Sequence, residues 1–151
     1  MATRHIGILT GGGDVPGLNS AIKSVYQSAK ERGWTRAGSS DANLTGILRG
    51  WKGALRMGED PKASEGSDTI ALTDDAVRKV DRTGGTFLHT SRTRPDRLKI
   101  RDLPESLKAK AADLPRVSGS DDTVDATDAV IRNLKGHGID CLVAIGGDDT
   151  L

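Results

Sequence analysis

The sequence predicts an α/β protein in which a mostly parallel, Rossmann-like sheet carries helices on both faces. Three observations predict it. Two short apolar runs, residues 5–9 and Cys141–Ile145, read as buried strands, and each leads directly into a glycine cluster. Between them, residues 21–32 and 123–134 repeat apolar positions at the three- and four-residue spacing of a helix. The resulting order, strand, helix, connector, helix, strand, fits parallel βαβ winding better than a meander of hairpins.

The elements follow from local signals. Residues 5–9 are continuously apolar apart from Gly7, as in a strand covered on both faces, and Gly11, Gly12 and Gly13 end the run. In the helix at 21–32, Ile22, Val25, Tyr26 and Ala29 share one face. Gly33 supplies its C-terminal cap, and Pro16 stands near its start, where a missing N–H costs least. A second parallel strand is due in "TRAGSSDANLTGILRG", residues 35–50, yet the segment is polar and rich in Ser and Gly. It predicts a loop with a weak strand at 46–48. Residues 57–69 are polar and predict an exposed connector. A short helix is expected over 74–80 with Thr73 as its N-cap. "PESLKAKAADLP", between two prolines, predicts a short surface helix. In 123–134, Val124, Thr127, Ala129, Val130, Ile131 and Leu134 keep a helical period that Gly136 and Gly138 end. There is no internal repeat and no low-complexity tract.

Composition bounds the function. At 151 residues the chain supports one core-bearing domain, 1–151. Lys and Arg total 22 against 21 Asp and Glu, which gives no reason to expect nucleic acid or an acidic membrane as a partner. A phosphate-binding enzyme needs only a local positive site. The single cysteine, Cys141, cannot form an internal disulfide, which fits a reducing cytoplasm, and its apolar setting predicts a buried small hydrophobe. "MATRHIGILT" lacks the apolar core and cleavage site of a secretory signal, and no apolar stretch approaches the roughly 20 residues that span a bilayer. A soluble, intracellular protein is expected. Aromatics are only 3%, and the sequence stops at Leu151, just after a strand-plus-turn signal where a helix is due. The expectation is the front part of a longer protein.

Three stretches carry chemistry. In "GILTGGGDVPGLNSAIKSV" the glycines stand where a strand hands over to a helix, the binding edge of a parallel sheet. Without side chains, backbone N–H groups there can approach a phosphate, and the helix start adds partial positive charge. The spacing is neither that of a dinucleotide fingerprint nor that of a P-loop. Alone, the stretch is equally a tight turn with no ligand. "IGGDDTL" repeats the theme after a second strand, and Asp148 and Asp149 add carboxylates through which a divalent cation could bridge to phosphate oxygens. An aspartate-rich turn is the plain alternative, but two such turns after two strands favour a site. "TGGTFLHTSRTRP" supplies a fixed cation, Arg92, whose planar fork suits phosphate oxygens. Arg94 reads as a solvated surface residue. His89 has no identifiable carboxylate partner and reads as a packing or polar residue. His5 and His137 lack metal-ligand spacing, and no G-x-S-x-G, H-E-x-x-H or C-x-x-C pattern occurs.

"IGILTGGGDVPGLNSAI", "GILRGWKG", "GGTFLHTSRTRP" and "GIDCLVAIGGDDTL", in that order, resemble the N-terminal part of the phosphofructokinases. The resemblance implies the phosphoryl-donor lobe of a glycolytic enzyme that, with Mg2+, phosphorylates the 1-hydroxyl of fructose 6-phosphate. By position, Gly12, Arg92 and Thr93 resemble donor contacts. Gly147, Asp148, Asp149 and Thr150 resemble the loop beneath the donor phosphates, with Asp148 in the place of the magnesium-associated aspartate. ATP-using relatives typically carry glycine where Asp149 stands. A carboxylate there repels and crowds the α-phosphate, so pyrophosphate is implied in preference to ATP. The family's catalytic base lies in a Thr-Ile-Asp-Asn-Asp-like stretch, which the resemblance puts beyond Leu151. No residue of 1–151 is assigned that role, and these residues alone are expected to be inactive. Family members commonly form homo-oligomers. The polar segment at 35–45 departs from the apolar second strand of the family. Two other readings stand beside this one: a NAD- or lipid-kinase-like enzyme with a Gly-Gly-Asp turn, and a non-catalytic phosphate-binding module.

Overall fold

A computed structural model describes residues 3–13, 15–148 and 150 of the chain. In chain order the elements are β1 (Ile6–Thr10), α1 (Leu18–Glu31), β2 (Leu44–Ile47), α2 (Gly50–Arg56), α3 (Pro61–Ser64), β3 (Thr69–Ala71), α4 (Asp74–Val77), β4 (Leu98–Lys99), α5 (Glu105–Lys108), β5 (Thr123–Val124), α6 (Thr127–Gly136) and β6 (Cys141–Ile145). The main sheet has the order β3-β2-β1-β6. β1 runs parallel to β2, with Ile6 opposite Leu44, and parallel to β6, with Thr10 opposite Ile145. β3 is antiparallel to β2, which makes the sheet mixed but mostly parallel. β4 and β5 form a separate two-stranded ribbon.

The pleat explains the two cores. Alternate residues of a strand face opposite sides, so Ile6, Ile8 and Leu44 meet Ile22, Tyr26 and Ala29 of α1 on one face. Leu9 and Ile47 meet Ala54 and Leu55 of α2 and Val130 of α6 on the other. Helices therefore cover both faces, and the α/β architecture is as the sequence predicts.

Several elements differ in detail. α1 begins at Leu18 because Leu18 and Asn19 are already buried, and it ends at a left-handed Gly33 (φ 72°). β2 occupies Leu44–Ile47 rather than 46–48: Leu44 and Ile47 are fully buried on opposite faces, and Gly46 admits Leu88, whose Cδ2 would lie 2.5 Å from a Cβ there. The segment 57–69 is not a plain exposed connector. Met57, Ser64, Asp68 and Thr69 are buried; Ser64 Oγ lies 3.0 Å from Thr69 Oγ1, and Asp68 accepts from Arg49 at 2.7 Å. Polar side chains satisfied by one another disguised this burial. α4 takes its cap from Thr73, whose hydroxyl accepts the Ala76 amide, but gives way after Val77 to a turn of 3-10 helix at Val80–Arg82. The expected surface helix between prolines is the short α5, followed by a 3-10 turn at Ala111–Asp113. Residues 123–124 pair in β5 before α6 begins. Cys141 is exposed, contrary to its expected burial, because β6 has a sheet partner on only one side among the described residues.

Candidate functional site

β1 and β6 are in register at their exits, so the turns that follow them emerge side by side. The Gly11 amide donates to the Ile145 carbonyl at 2.8 Å, continuing the strand pairing into the turns. Gly12 is left-handed (φ 74°), a conformation that suits glycine, and a Cβ on it would lie 3.5 Å from the Gly147 amide nitrogen. Thr150 sits beneath both turns with 4% of its surface exposed. Its amide donates to the Gly147 carbonyl at 2.8 Å, while its hydroxyl is buried without a partner among the described residues. A Cβ on Gly11 would lie 2.3 Å from the Thr150 hydroxyl oxygen, and one on Gly146 would lie 2.2 Å from it. Only glycine fits at these two places.

A third strand exit, after β2, completes the arrangement. Arg49 (φ 61°) and Gly50 (φ 57°) are both left-handed and bend the chain into α2. A Cβ on Gly50 would meet the Thr10 carbonyl at 2.7 Å. The Arg49 guanidinium pairs with Asp68 at 2.7 Å, which helps hold a conformation otherwise costly for a non-glycine residue. Trp51, at the start of α2, donates its indole N–H to the Thr150 carbonyl at 3.0 Å.

The segment carrying Arg92 is tied to the first turn. Thr10 Oγ1 donates to the His89 carbonyl at 2.7 Å, and the Gly12 amide donates to the Ser91 carbonyl at 3.0 Å. Arg92 and Thr93 follow directly on Ser91. They line a cleft of about 930 Å³ together with Lys52, Arg56, Arg97 and Arg101. The glycine turns are not among the walls of that cleft; Ser91 is the junction between the two. Among the described residues Lys52, Arg92 and Arg97 have no ion-pair partner. Arg94 pairs with Asp96 at 2.9 Å.

Gly12, Gly147 and Thr150 thus come together, and Arg92 and Thr93 follow directly on Ser91, whose carbonyl accepts the Gly12 amide. Asp148 is exposed on the same turn as Gly147. Asp149 lies outside the described residues, and so does Leu151, beyond which the catalytic base is expected. His89 is exposed and left-handed (φ 58°), and contributes its carbonyl rather than its ring. His5 and His137 lie elsewhere, beside Thr45 and Ser64 respectively. Reasoning from sequence missed Ser91, Gly50 and Trp51; the available signal was a tryptophan set between glycines in "RGWKG". Chemically, the described residues offer glycine amides without side-chain cover, the exposed carboxylate of Asp148 and, in the adjoining cleft, cations with no ion-pair partner among those residues, which suits a polyphosphate better than a neutral ligand. Among the described residues no group of three or more His, Cys, Asp or Glu could hold a metal, and no helix is long and apolar enough to cross a membrane.

A family model described as Phosphofructokinase matches residues 5–151. A pyrophosphate–fructose 6-phosphate 1-phosphotransferase of Streptomyces coelicolor is 35% identical over 147 residues, 97% of this chain and 30% of that protein. The corresponding protein of Dictyoglomus thermophilum is 31% identical over 100% of this chain and 31% of its own length. An ATP-dependent 6-phosphofructokinase of Mycobacterium tuberculosis is 32% identical over 97% of this chain and 31% of its own. The chain spans about a third of the length of the curated relatives it matches.

Proposed function

The chain belongs to the phosphofructokinase family, and from that premise we propose that it forms the phosphoryl-donor lobe of a 6-phosphofructokinase. In this reading the enzyme transfers a phosphoryl group to the 1-hydroxyl of fructose 6-phosphate and uses pyrophosphate in preference to ATP. The observation that carries it is the meeting of the two glycine turns, Gly12 against Gly147 at 3.5 Å from a Cβ position, with Ser91 fixing the start of the arginine segment.

Phosphoryl transfer needs positioning and charge neutralisation rather than a protein nucleophile. The Gly13 amide and those around Gly147 bind and orient the donor, since no Cβ holds the phosphate away; the Gly11 and Gly12 amides are taken by the Ile145 and Ser91 carbonyls and shape the turn instead. Arg92 and Thr93 hold its oxygens from the cleft side. Magnesium generally keeps several waters and takes one or two carboxylates plus substrate phosphates. The exposed Asp148 beside the Gly147 amide fits that demand, and Asp148 would hold the ion. When bound, the ion neutralises charge on the donor oxygens. No general base is assigned within these residues, and the resemblance to the family puts it beyond Leu151.

The preference for pyrophosphate rests on Asp149. By the resemblance to the family, a nucleotide donor would bring its α-phosphate to that position, and two anions there repel and compete for space. Relatives of both donor types match the chain, so the donor is decided by assay. The protein in the full length its gene encodes should phosphorylate fructose 6-phosphate with magnesium pyrophosphate and work poorly with ATP. Robust turnover with ATP alone would overturn the donor assignment. The same reading makes the working protein a cytoplasmic homo-oligomer.

A further inference from the structure

Among the described residues the second glycine turn has few anchors of its own. Gly146, Gly147 and Asp148 are exposed. The contacts that hold this turn gather at Thr150. Its amide closes the turn onto the Gly147 carbonyl, and its side chain fills the space that Cβ atoms on Gly11 and Gly146 would occupy. The place of Thr150 therefore sets the spacing between the two turns. Its carbonyl is held by the Trp51 indole N–H at 3.0 Å, across 99 residues of sequence. The indole is half-buried and packs against the core layer that contains Leu9, Ile47 and Ala54. It is a rigid post with a single donor, and that donor points at the turn.

We infer that Trp51 is a positioning residue for the phosphoryl donor: by holding the Thr150 carbonyl, it fixes where the Gly147–Asp148 backbone faces the polyphosphate. This rests on the donor-site reading above. A half-buried indole generally finds some acceptor for its N–H, and any carbonyl in reach would satisfy it. Here the acceptor belongs to the residue wedged between the glycine turns, and the next residue along α2, Lys52, lines the basic cleft. One helix turn thus touches both parts of the site, the amide cradle and the cations. A cradle already in place on binding does not lose ordering entropy at that moment.

Trp51→Phe keeps the ring and removes the donor. In the protein as its gene encodes it, the variant should bind magnesium pyrophosphate about two- to tenfold more weakly, the range that one hydrogen bond covers. The Thr150 amide should exchange its hydrogen faster without ligand, and the melting temperature should barely move. Unchanged affinity and unchanged Thr150 exchange would overturn the inference, as would losses of affinity and melting temperature in step. Should Trp51→Phe fail to fold, Trp34→Phe leaves Trp51 as the only tryptophan of this chain, which has two. Trp34 belongs to the opposite core layer, so pyrophosphate binding should persist, and Trp51 emission should shift when pyrophosphate binds. Calorimetric binding without any shift would count against the positioning role. If the unaltered protein binds no pyrophosphate, the donor reading fails, and Thr150 exchange in Trp51→Phe still judges the indole contact on its own.

Discussion

The glycines of the site are not equivalent, and their differences separate packing from chemistry. A Cβ on Gly146 would come within 2.2 Å of the Thr150 hydroxyl, 2.6 Å of its Cβ and 2.9 Å of the Gly11 carbonyl, while one on Gly147 would meet nothing within 4 Å. Backbone and a β-branched neighbour cannot move aside cheaply, so Gly146→Ala should destabilise the protein by about 1–3 kcal/mol, the usual range for overpacking. Gly147→Ala should melt near the unaltered temperature and lose affinity for pyrophosphate, because the added methyl stands over the amide. Thermal melts paired with pyrophosphate titrations of the two variants check this; a stability loss confined to Gly147→Ala would contradict it. Asp148 is a residue-scale test of another kind. It is exposed, so Asp148→Ala should leave the melt within about 0.5 kcal/mol, as surface changes do. It should cut magnesium-dependent turnover by well over tenfold. A parallel loss of stability and turnover would make Asp148 a structural residue.

At the scale of elements, the sequence was legible wherever hydrophobic period and punctuation agreed. β1, α1 and its Gly33 stop, the Thr73 cap, and β6 all stand in Ile6–Thr10, Leu18–Glu31, Asp74–Val77 and Cys141–Ile145. It was least legible where polar groups satisfy one another. Ser64, Asp68 and Thr69 look solvated as letters, yet they are buried against Arg49 and His137, and β3 forms among them. β2 was shifted because only Leu44 and Ile47 mark its two faces within a polar stretch. The same hidden polar layer gives the fold a pH dependence. Burial holds His137 below its ordinary value of 6.5, despite the Met57 and Gly58 carbonyls and Asp60, which favour its charged form. A folded state that resists protonation binds fewer protons than the unfolded chain once pH falls through 6.5, so stability falls with it and is complete above that value. His5 is likewise lowered, chiefly by burial. Melting temperature should therefore decline as pH drops below about 6.5, and the decline should be shallower in His137→Gln. An equal slope in that variant would assign the dependence to other groups.

Over the whole molecule, charge is balanced in sum and unbalanced in place. The chain carries 22 Lys and Arg against 21 Asp and Glu, and composition alone gave no sign of an anion site. The fold concentrates basic residues in one place, gathering Lys52 and Arg56 from α2 with Arg92, Arg94, Arg97, Lys99 and Arg101 around a cleft whose acidic lining, among the described residues, is just Asp68, Asp102 and Glu105. Motifs singled out Gly12, Arg92 and Asp148 as candidates, since each sits in a glycine-marked turn or in the stretch that follows one. Lys52 and Arg97 were not, because their nearness depends on how α2 packs against the segment after Arg94, a contact no local pattern encodes. Some of these cations are committed: Arg94 pairs with Asp96, and Arg56 shares Asp68 with Arg49. Arg97 is not paired among the described residues, is exposed, and stands in the cleft wall rather than in the glycine cradle. Its contribution to a polyanion should then be long-range attraction more than a fixed contact. Such attraction is screened over about 10 Å at 0.1 M salt and about 3 Å at 1 M. Arg97→Ala should slow pyrophosphate association a few-fold at low ionic strength, with dissociation little changed, and the difference should vanish as salt rises. If instead the variant dissociates faster by the same factor at every salt concentration, Arg97 makes a direct contact and the cleft is part of the donor site itself.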